Sequence, residues 1–501
     1  MRLVGLSTKS FWVDELNALS VSQTFERIMS ECRGGHTPPL RYFIVWALQQ
    51  LPSPEFSVRL PAVIFGTLTI ALMLWIGELV RDRRTGVLAA VLLLLSPWHL
   101  DNSQDARYYA MILFLALAGV GLAIRIIERP QPLWRWAALS VICVLNLYIS
   151  YVAIFPVVAI IGYPAWSAWR SWRLPEKREQ ATILLRGAAL AALVGFLVLS
   201  PWLSEMAGLF GRYVSDGSNV ASVSNLPANA ASSPSRHPMA WRTPLDWAYA
   251  DDFLAKLGLQ QPALKWALLA FFGIGLVDLS RRNRSMVVLA ALWFIFPWAV
   301  ILATGMRYFC PPRYLIHYLG LYLLLAAVGI LAVWERLGSV TLSSSASVLS
   351  TRARRSAFYS LTAAIALAAF LTYVREDVRY FKTPKQDWRL VVRFLDENTA
   401  PSDAVLAGGY WTPLGLLYYG SELSQPINLI PRCTTARRIQ RELALSPRAW
   451  YVTWGPLPGD VAALLARRFE LVREFPGMHG TIQVYRSKPK VGTPSVSEDK
   501  G

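Results

Sequence analysis

The sequence predicts an α-helical polytopic membrane protein with a small α/β domain at its C-terminal end. Three observations carry this. The 501 residues are 54% hydrophobic and only 16% charged, where soluble globular chains carry about 25%. Apolar stretches of membrane-crossing length recur through the first three quarters of the chain, near the roughly 20 residues a helix needs to cross hydrocarbon. Beyond Thr383 the pattern changes to short strand-like and amphipathic runs.

Ten segments suit spans: 58–80, 86–100, 107–127, 134–149, 151–170, 183–203, 263–280, 286–304, 313–334 and 357–374. Two of them, 86–100 and 134–149, fall below about 17 residues, and flanking arginines can snorkel to extend them. Base alternates between the connecting loops. Arg81, Arg83 and Arg84 occupy the first, and Arg125, Arg129 and Arg135 the third. Arg170, Arg173, Lys177, Arg178 and Arg186 lie in the fifth, Arg281, Arg282 and Arg284 in the seventh, and Arg336, Arg352, Arg354 and Arg355 in the ninth. Lys and Arg collect in cytoplasmic loops, so the odd loops are assigned to the cytoplasm. The even loops, including HLDNSQDARYY at 99–109 and the long 204–262, then face outward. The formal charge of +18 is accordingly read as topology, and no nucleic-acid partner is expected. No cleavable signal peptide is read, because MRLVGLSTKS holds Arg2 and Lys9 without the apolar run such a signal needs.

PPLRYFIVWALQQL at 38–51 is bounded by prolines, and its length suits an interfacial helix better than a span. Laid along the outer surface, it leaves WVDE at 12–15 and SQDAR at 103–107 on one side of the membrane. With ten spans, the tail from 375 is also outside. Within it KQDWRLVVRFLDEN reads as an amphipathic helix, PSDAVLAGGYW as a turn into a strand, RAWYVTW and TIQVYR as strands, and DVAALLARRF as a helix. The organisation expected is a first external loop over 1–57, a membrane domain over 58–374 with its 204–262 loop, and an α/β domain over 375–488. A polar, disordered tail over 489–501 follows.

Four groups of residues carry candidate chemistry. In FWVDE at 11–15, Asp14 either caps a surface helix or, at a partly desolvated interface, acts as a general base. Glu15, one position on, faces another way on a helix, which suits an orienting or binding role. In GGHTPPLRYF at 34–43, His36 either marks a helix start before Pro38 and Pro39 or contacts an anion at the membrane surface. NSQDARYY at 102–109 puts Gln104, Asp105, Arg107 and Tyr108 within five residues. Asp105 suits a helix N-terminus on dipole grounds, and Arg107 is either a snorkelling cation or a phosphate clamp. In CPPRYLIHY at 310–318, Arg313 stands at the outer end of a span where base is otherwise scarce. It calls for an anion, a lipid phosphate or a carboxylate. Tyr314 adjoins it, and His317 is expected on the same helical face. The four cysteines, Cys32, Cys143, Cys310 and Cys433, match no metal-ligand spacing. Cys32 and Cys310 could both face an oxidising compartment and pair, but nothing local supports it, so the cysteines are uninformative.

The order of these motifs resembles the GT-C superfamily of integral-membrane glycosyltransferases. Trp12-Val13-Asp14-Glu15 comes first, then His36-Thr37-Pro38-Pro39-Leu40 with Tyr42, then Arg59-Leu60-Pro61 with Gly66. Ser103-Gln104-Asp105-Ala106-Arg107 and Arg313-Tyr314-Leu315 follow. The sequence is most similar to the family 39 and Rgt-like enzymes, which include the dolichyl-phosphate-mannose-protein mannosyltransferases and the lipid A aminoarabinose transferase. The resemblance covers 11–127 well, and 313–330 and the DWR of 387–389 more loosely. It implies a polyprenyl-phosphate sugar as donor, inverting transfer to a lipid, glycan or protein acceptor on the outer face of the cytoplasmic membrane, and membrane lipids as surroundings. Asp14 matches the catalytic base, Asp105 the acid of the second external loop, and His36, Arg107 and Arg313 fall where the lipid phosphate is held. It also implies a membrane helix ahead of WVDE, where this chain has only about ten residues. No cofactor is expected, and a divalent metal, though possible for the chemistry, is not indicated. Two other classes fit less well. A transporter or flippase of lipid-linked sugars predicts intramembrane charge and internal repeats, whereas Glu78 and Asp278 sit at cytoplasmic ends. A catalytically inactive assembly subunit would keep the fold without the chemistry.

Overall fold

A computed structural model of the chain describes residues 2–33, 37–131, 133–215, 243–258, 262–305, 308–343, 360, 367–368, 370–409, 411–421, 427–446 and 448–489. In chain order the helices of the first three quarters are α1 (Val13–Val21), α2 (Phe25–Arg33), α3 (Leu40–Leu48), α4 (Pro54–Val80), α5 (Arg83–Leu94), α6 (Pro97–Asn102), α7 (Tyr109–Glu128) and α8 (Leu133–Ile149). They continue as α9 (Ile154–Trp172), α10 (Arg178–Leu199), α11 (Leu203–Ser215), α12 (Trp247–Leu257), α13 (Pro262–Arg282), α14 (Arg284–Ala290), α15 (Phe296–Ala303) and α16 (His317–Ser343). The chain divides into two compact units. One holds Met1–Val4, Val21–Pro52 and Ser57–Arg379, and the other Gly5–Ser20, Ser53–Phe56 and the residues from Tyr380 on. The expected 1–57 loop is therefore shared between the units.

The first unit is helical. Among the described residues seven helical stretches are long and apolar enough to cross a membrane, and Leu133–Ile149 is a shorter apolar helix. The expected 86–100 span is broken. α5 ends at Leu94, and α6 restarts with Ser96 as its cap and Pro97 inside its first turn, because proline disfavours helix in the residue before it and lacks an N–H. α14 and α15 are joined through a π-helical turn at Ala291–Ile295. Pro297 follows at once, so the missing N–H falls where the helix changes pitch. Most of 357–374 and the 216–242 part of the long loop lie outside the described residues. α3 spans nine residues, far short of a crossing length.

Burial on the helices is arranged for lipid. α10 turns Ala181, Leu184, Ala188, Ala191 and Gly195 inward and leaves Leu190, Leu193, Phe196 and Leu197 exposed. Large apolar residues facing out and small ones facing neighbours is the pattern of helix packing in membranes. α7 and α16 differ: 78% of the apolar stretch of each is buried, which makes them the enclosed pair of the unit. They pack on each other through Gly320, where an added Cβ would come within 2.5 Å of Leu117 Cδ1. A two-residue ribbon, β1 (Thr243–Pro244) against β2 (Tyr308–Phe309), is antiparallel. The Tyr249 hydroxyl of α12 donates to Cys310 O at 2.9 Å, seating α12 against the turn that carries Arg313. All four cysteines are buried and free, so Cys32 and Cys310 do not pair.

After α17, a helix over 370–382, the second unit forms a five-stranded sheet with α18 (Trp388–Asn398), α19 (Thr412–Gly420), α20 (Ala436–Leu445) and α21 (Gly459–Arg468). The strands β3 (Ala404–Ala407), β4 (Leu429–Ile430), β5 (Ala449–Trp454), β6 (Phe469–Phe475) and β7 (Ile482–Ser487) are ordered β4-β3-β5-β7-β6. β3 is parallel to β4 and β5, while β7 is antiparallel to β5 and β6. α18 buries Trp388, Val391, Val392 and Leu395, an i, i+3, i+4, i+7 stripe. The core gathers Leu406, Ile439, Tyr451, Val461, Leu465 and Phe469. Every strand and helix expected in the tail is present. The sequence pattern missed β6, FELVREF, whose middle five residues are exposed, so no burial alternation marks it.

Candidate active site

In the first unit, the N-terminal ends of the two enclosed helices bring SQDAR and PRYL together. Gly66 of α4 allows the approach of the SQDAR loop: a Cβ there would lie 2.2 Å from Ser103 Oγ. Ser103 Oγ in turn donates to His99 O at 2.6 Å. Asp105 Oδ1 accepts the backbone N–H of Arg107 at 3.0 Å, the i to i+2 closure of an Asx turn. Tyr108 then adopts φ 57° and ψ 27°, a left-handed conformation that costs a bulky residue energy and is over-represented at functional sites. It is held there by complete burial and by its hydroxyl, which donates to Val58 O at 3.1 Å.

That turn aims Arg107, which is 3% exposed, at the CPPRY segment. Its Nη2 donates to the Tyr314 hydroxyl at 2.7 Å. The guanidinium carbon lies 5.4 Å from the Tyr109 ring centroid and 5.3 Å from that of Tyr314. Arg313 lies 5.8 Å from the Tyr314 ring, and Tyr109 meets Tyr314 edge-on at 5.6 Å. Two guanidiniums are thus within cation–π reach of one phenol, in a partly desolvated setting where charge-assisted hydrogen bonds to an anion are strong. Gln104 acts elsewhere: its Nε2 donates to Arg2 O at 2.7 Å and Val4 O at 3.0 Å. His317 is buried against Trp293 and Tyr318, and among the described residues neither ring nitrogen has a hydrogen-bond partner. The expected shared helical face with Arg313 is corrected here. Arg313 belongs to a 3₁₀ turn at Pro312–Leu315, and α16 begins only at His317. Pro312 opens that turn, where its missing N–H costs nothing, and Pro311 before it is extended at ψ 148°. His36 lies outside the described residues.

The acids of FWVDE, Asp14 and Glu15, belong to the second unit. The carbonyl of Trp12 accepts from the N–H groups of Glu15 and Leu16 at 2.9 and 3.0 Å, so Trp12 caps α1 and Asp14 sits inside its first turn. Capping by Asp14 is therefore corrected. Glu15, fully buried, returns its Oε2 to the Trp12 N–H at 3.3 Å, the reciprocal half of a capping box. Asp14 is 7% exposed. The segment is fastened to KQDWR: Val13 N–H donates to Gln386 Oε1 at 2.9 Å, which also accepts Trp388 Nε1 at 3.0 Å. The Phe11 N–H donates to the Tyr419 hydroxyl at 2.6 Å, and Trp12 stacks on His479 with centroids 4.2 Å apart. Arg389 pairs with Glu55, which also accepts from Tyr419 at 3.4 Å.

One residue escaped the sequence reading. Arg41, the variable position of the PPLRY motif, is buried in α3 with its guanidinium 4.4 Å from the Tyr42 ring. It lies within electrostatic range of Arg107 and Tyr314. Its signal was available: an arginine in a stretch placed on the base-poor side, the same exception that singled out Arg313. Among the described residues no group of three His, Cys, Asp or Glu side chains is placed to hold a metal.

A bundle of lipid-facing helices around an enclosed pair that carries cations at one end, joined to a small α/β unit, defines the class. This is a multi-pass membrane protein with the GT-C glycosyltransferase fold. Residues 31–210 match the family described as dolichyl-phosphate-mannose-protein mannosyltransferase. The resemblance drawn from motif order is thereby borne out. Across 98% of this chain and 97% of the other, the fold aligns with ArnT from Cupriavidus metallidurans in the apo state, at TM-score 0.56 and 13% identity. The same ArnT bound to undecaprenyl phosphate aligns over equal shares at TM-score 0.54 and 12% identity. No curated protein matches the sequence.

Proposed function

We propose that this protein transfers a sugar from a polyprenyl-phosphate-linked donor to an acceptor hydroxyl, belonging to a lipid, glycan or protein, on the outer face of the cytoplasmic membrane. The observation that carries the reading is the Arg107–Tyr314–Arg313 cluster at the ends of the two enclosed helices. Undecaprenyl phosphate bound to the ArnT whose fold this chain shares supports it. The alternation of base between loops supports the outward face.

In this reading Asp14 is the general base. Its carboxylate takes the acceptor O–H proton as that oxygen forms a bond to the anomeric carbon, and the bond from that carbon to the phosphate oxygen breaks. The phosphate leaves as an anion whose charge meets Arg107 and Arg313, and attack opposite the leaving group inverts the centre. Glu15 orients the helix start that presents Asp14. Asp105 and Tyr108 set the Arg107 turn, Gln104 holds the adjoining backbone, Tyr314 orients Arg107, and His36 and His317 are further substrate contacts. The step uses no cofactor, the lipid-linked sugar being a substrate.

Asp14→Asn tests this. Turnover of a polyprenyl-phosphate sugar by the full chain in nanodiscs should fall by about 10²–10⁴-fold, with the melting temperature unchanged. Transfer at the wild-type rate would rule Asp14 out as the base.

A further inference from the structure

We infer that Arg41 is a third cation of this anion site and contacts the phosphate of the lipid-linked donor, an inference that rests on the function proposed above. Arg41 is 8% exposed, and a buried cation is costly unless it is paired. Among the described residues no carboxylate pairs with it. Its Nη2 donates to the Tyr42 hydroxyl and its ring neighbour is Tyr42, while its Nε has no hydrogen-bond partner among the described residues. Its electrostatic neighbours are Tyr42, Arg107 and Tyr314 and the buried Cys32, and the carboxylate of Glu31 acts on Cys32 and Tyr42 rather than on Arg41 itself. Two enclosed guanidiniums within range of each other repel, and an anion between them reverses the sign of that interaction. A phosphate suits the place best, because its several oxygens can accept from two guanidinium forks and a phenol together.

Helix geometry fixes the backbone that carries the side chain. Pro38 and Pro39 fix the start of α3, so Arg41 falls in its first turn. The three arginines then come from three separate segments, α3, the turn before α7, and the turn before α16, each entering the unit beside a tyrosine: Tyr42, Tyr109 and Tyr314. The phenols can orient the guanidiniums without neutralising them.

The experiment uses the full chain in nanodiscs of zwitterionic lipid, with undecaprenyl phosphate as probe and undecaprenol as uncharged control. Arg41→Gln and Arg41→Met should each weaken undecaprenyl phosphate binding by about tenfold or more, the scale of a lost hydrogen bond to a charged group, and leave undecaprenol binding unchanged. Arg41→Met should also hold or raise the melting temperature without ligand, since it removes an uncompensated buried charge. A lower melting temperature with undecaprenyl phosphate affinity unchanged would make Arg41 structural and overturn the inference. Unchanged affinity in Arg41→Gln beside weakened affinity in Arg107→Gln would overturn it while sparing the proposed function. Unchanged affinity in both would remove the phosphate cluster itself. Inorganic phosphate at the same concentration should not displace the probe, and displacement would assign the site to the free anion instead.

Discussion

Arg107 and Tyr314, 207 positions apart in sequence, are joined by a 2.7 Å hydrogen bond in which the guanidinium donates to the phenol. The bond ties the turn before α7 to the turn before α16. It places two motifs that share no local pattern in one cluster.

Tyr314→Phe keeps the ring for both arginines and deletes the oxygen that orients Arg107. The KM for a polyprenyl-phosphate donor should rise about tenfold, as expected for a lost hydrogen bond to a charged group, with a smaller change in kcat. Steady-state kinetics with the donor varied checks this.

Gly66→Ala would push a methyl group against Ser103, whose Cβ lies 2.7 Å from the added atom. Overpacking of this kind costs about 1–3 kcal/mol, and here it displaces the SQDAR turn. Donor turnover should fall well beyond the loss in melting temperature, and Gly66→Val should be worse.

Gln386→Leu leaves the Val13 N–H and the Trp388 indole N–H without their shared acceptor. Each orphaned buried donor costs about 1–3 kcal/mol. Denaturation of the second unit should shift accordingly, and protease cleavage near residues 11–16 should accelerate.

Asp377, buried beyond the apolar stretch, is pushed up to about 7 by burial, with Arg2 pulling it down and Glu376 adding to the rise. The folded state therefore holds its proton more tightly than the unfolded chain. Stability from this group is fully present below the unfolded value near 3.8 and is lost as pH rises towards 7. Melting temperatures across pH 4–8 should show that decline, and Asp377→Asn should flatten it.

The cap of α1 shows the limits of local reading. WVDE advertised acids at a helix start, but Asp and Glu serve equally well there, and only the return of the Glu15 carboxylate to the Trp12 N–H separates their parts. Ser96-Pro97 announced a helix break that the apolar run from 86 to 100 disguised, because hydropathy does not register a missing N–H. Locally Arg41 reads as one turn of an amphipathic helix, and only its place on the base-poor side sets it apart.

The seven membrane-length helices among the described residues, the alternation of base, the strands β3, β5 and β7 with α18 and α21 of the C-terminal domain, and the order of the motifs were set by the amino-acid sequence itself. Each depends on hydropathy or periodicity over fewer than about 25 residues, the scale on which a helix or strand is decided. Tertiary structure alone decided that residues 5–20 and 53–56 pack with the domain that begins at Tyr380. It also decided that Arg41, Arg107 and Tyr314 share one electrostatic neighbourhood. The meeting of Arg107 with Tyr314 depends on how α7 and α16 close on one another at places such as Gly320 and Leu117, a matter of packing that no local pattern encodes.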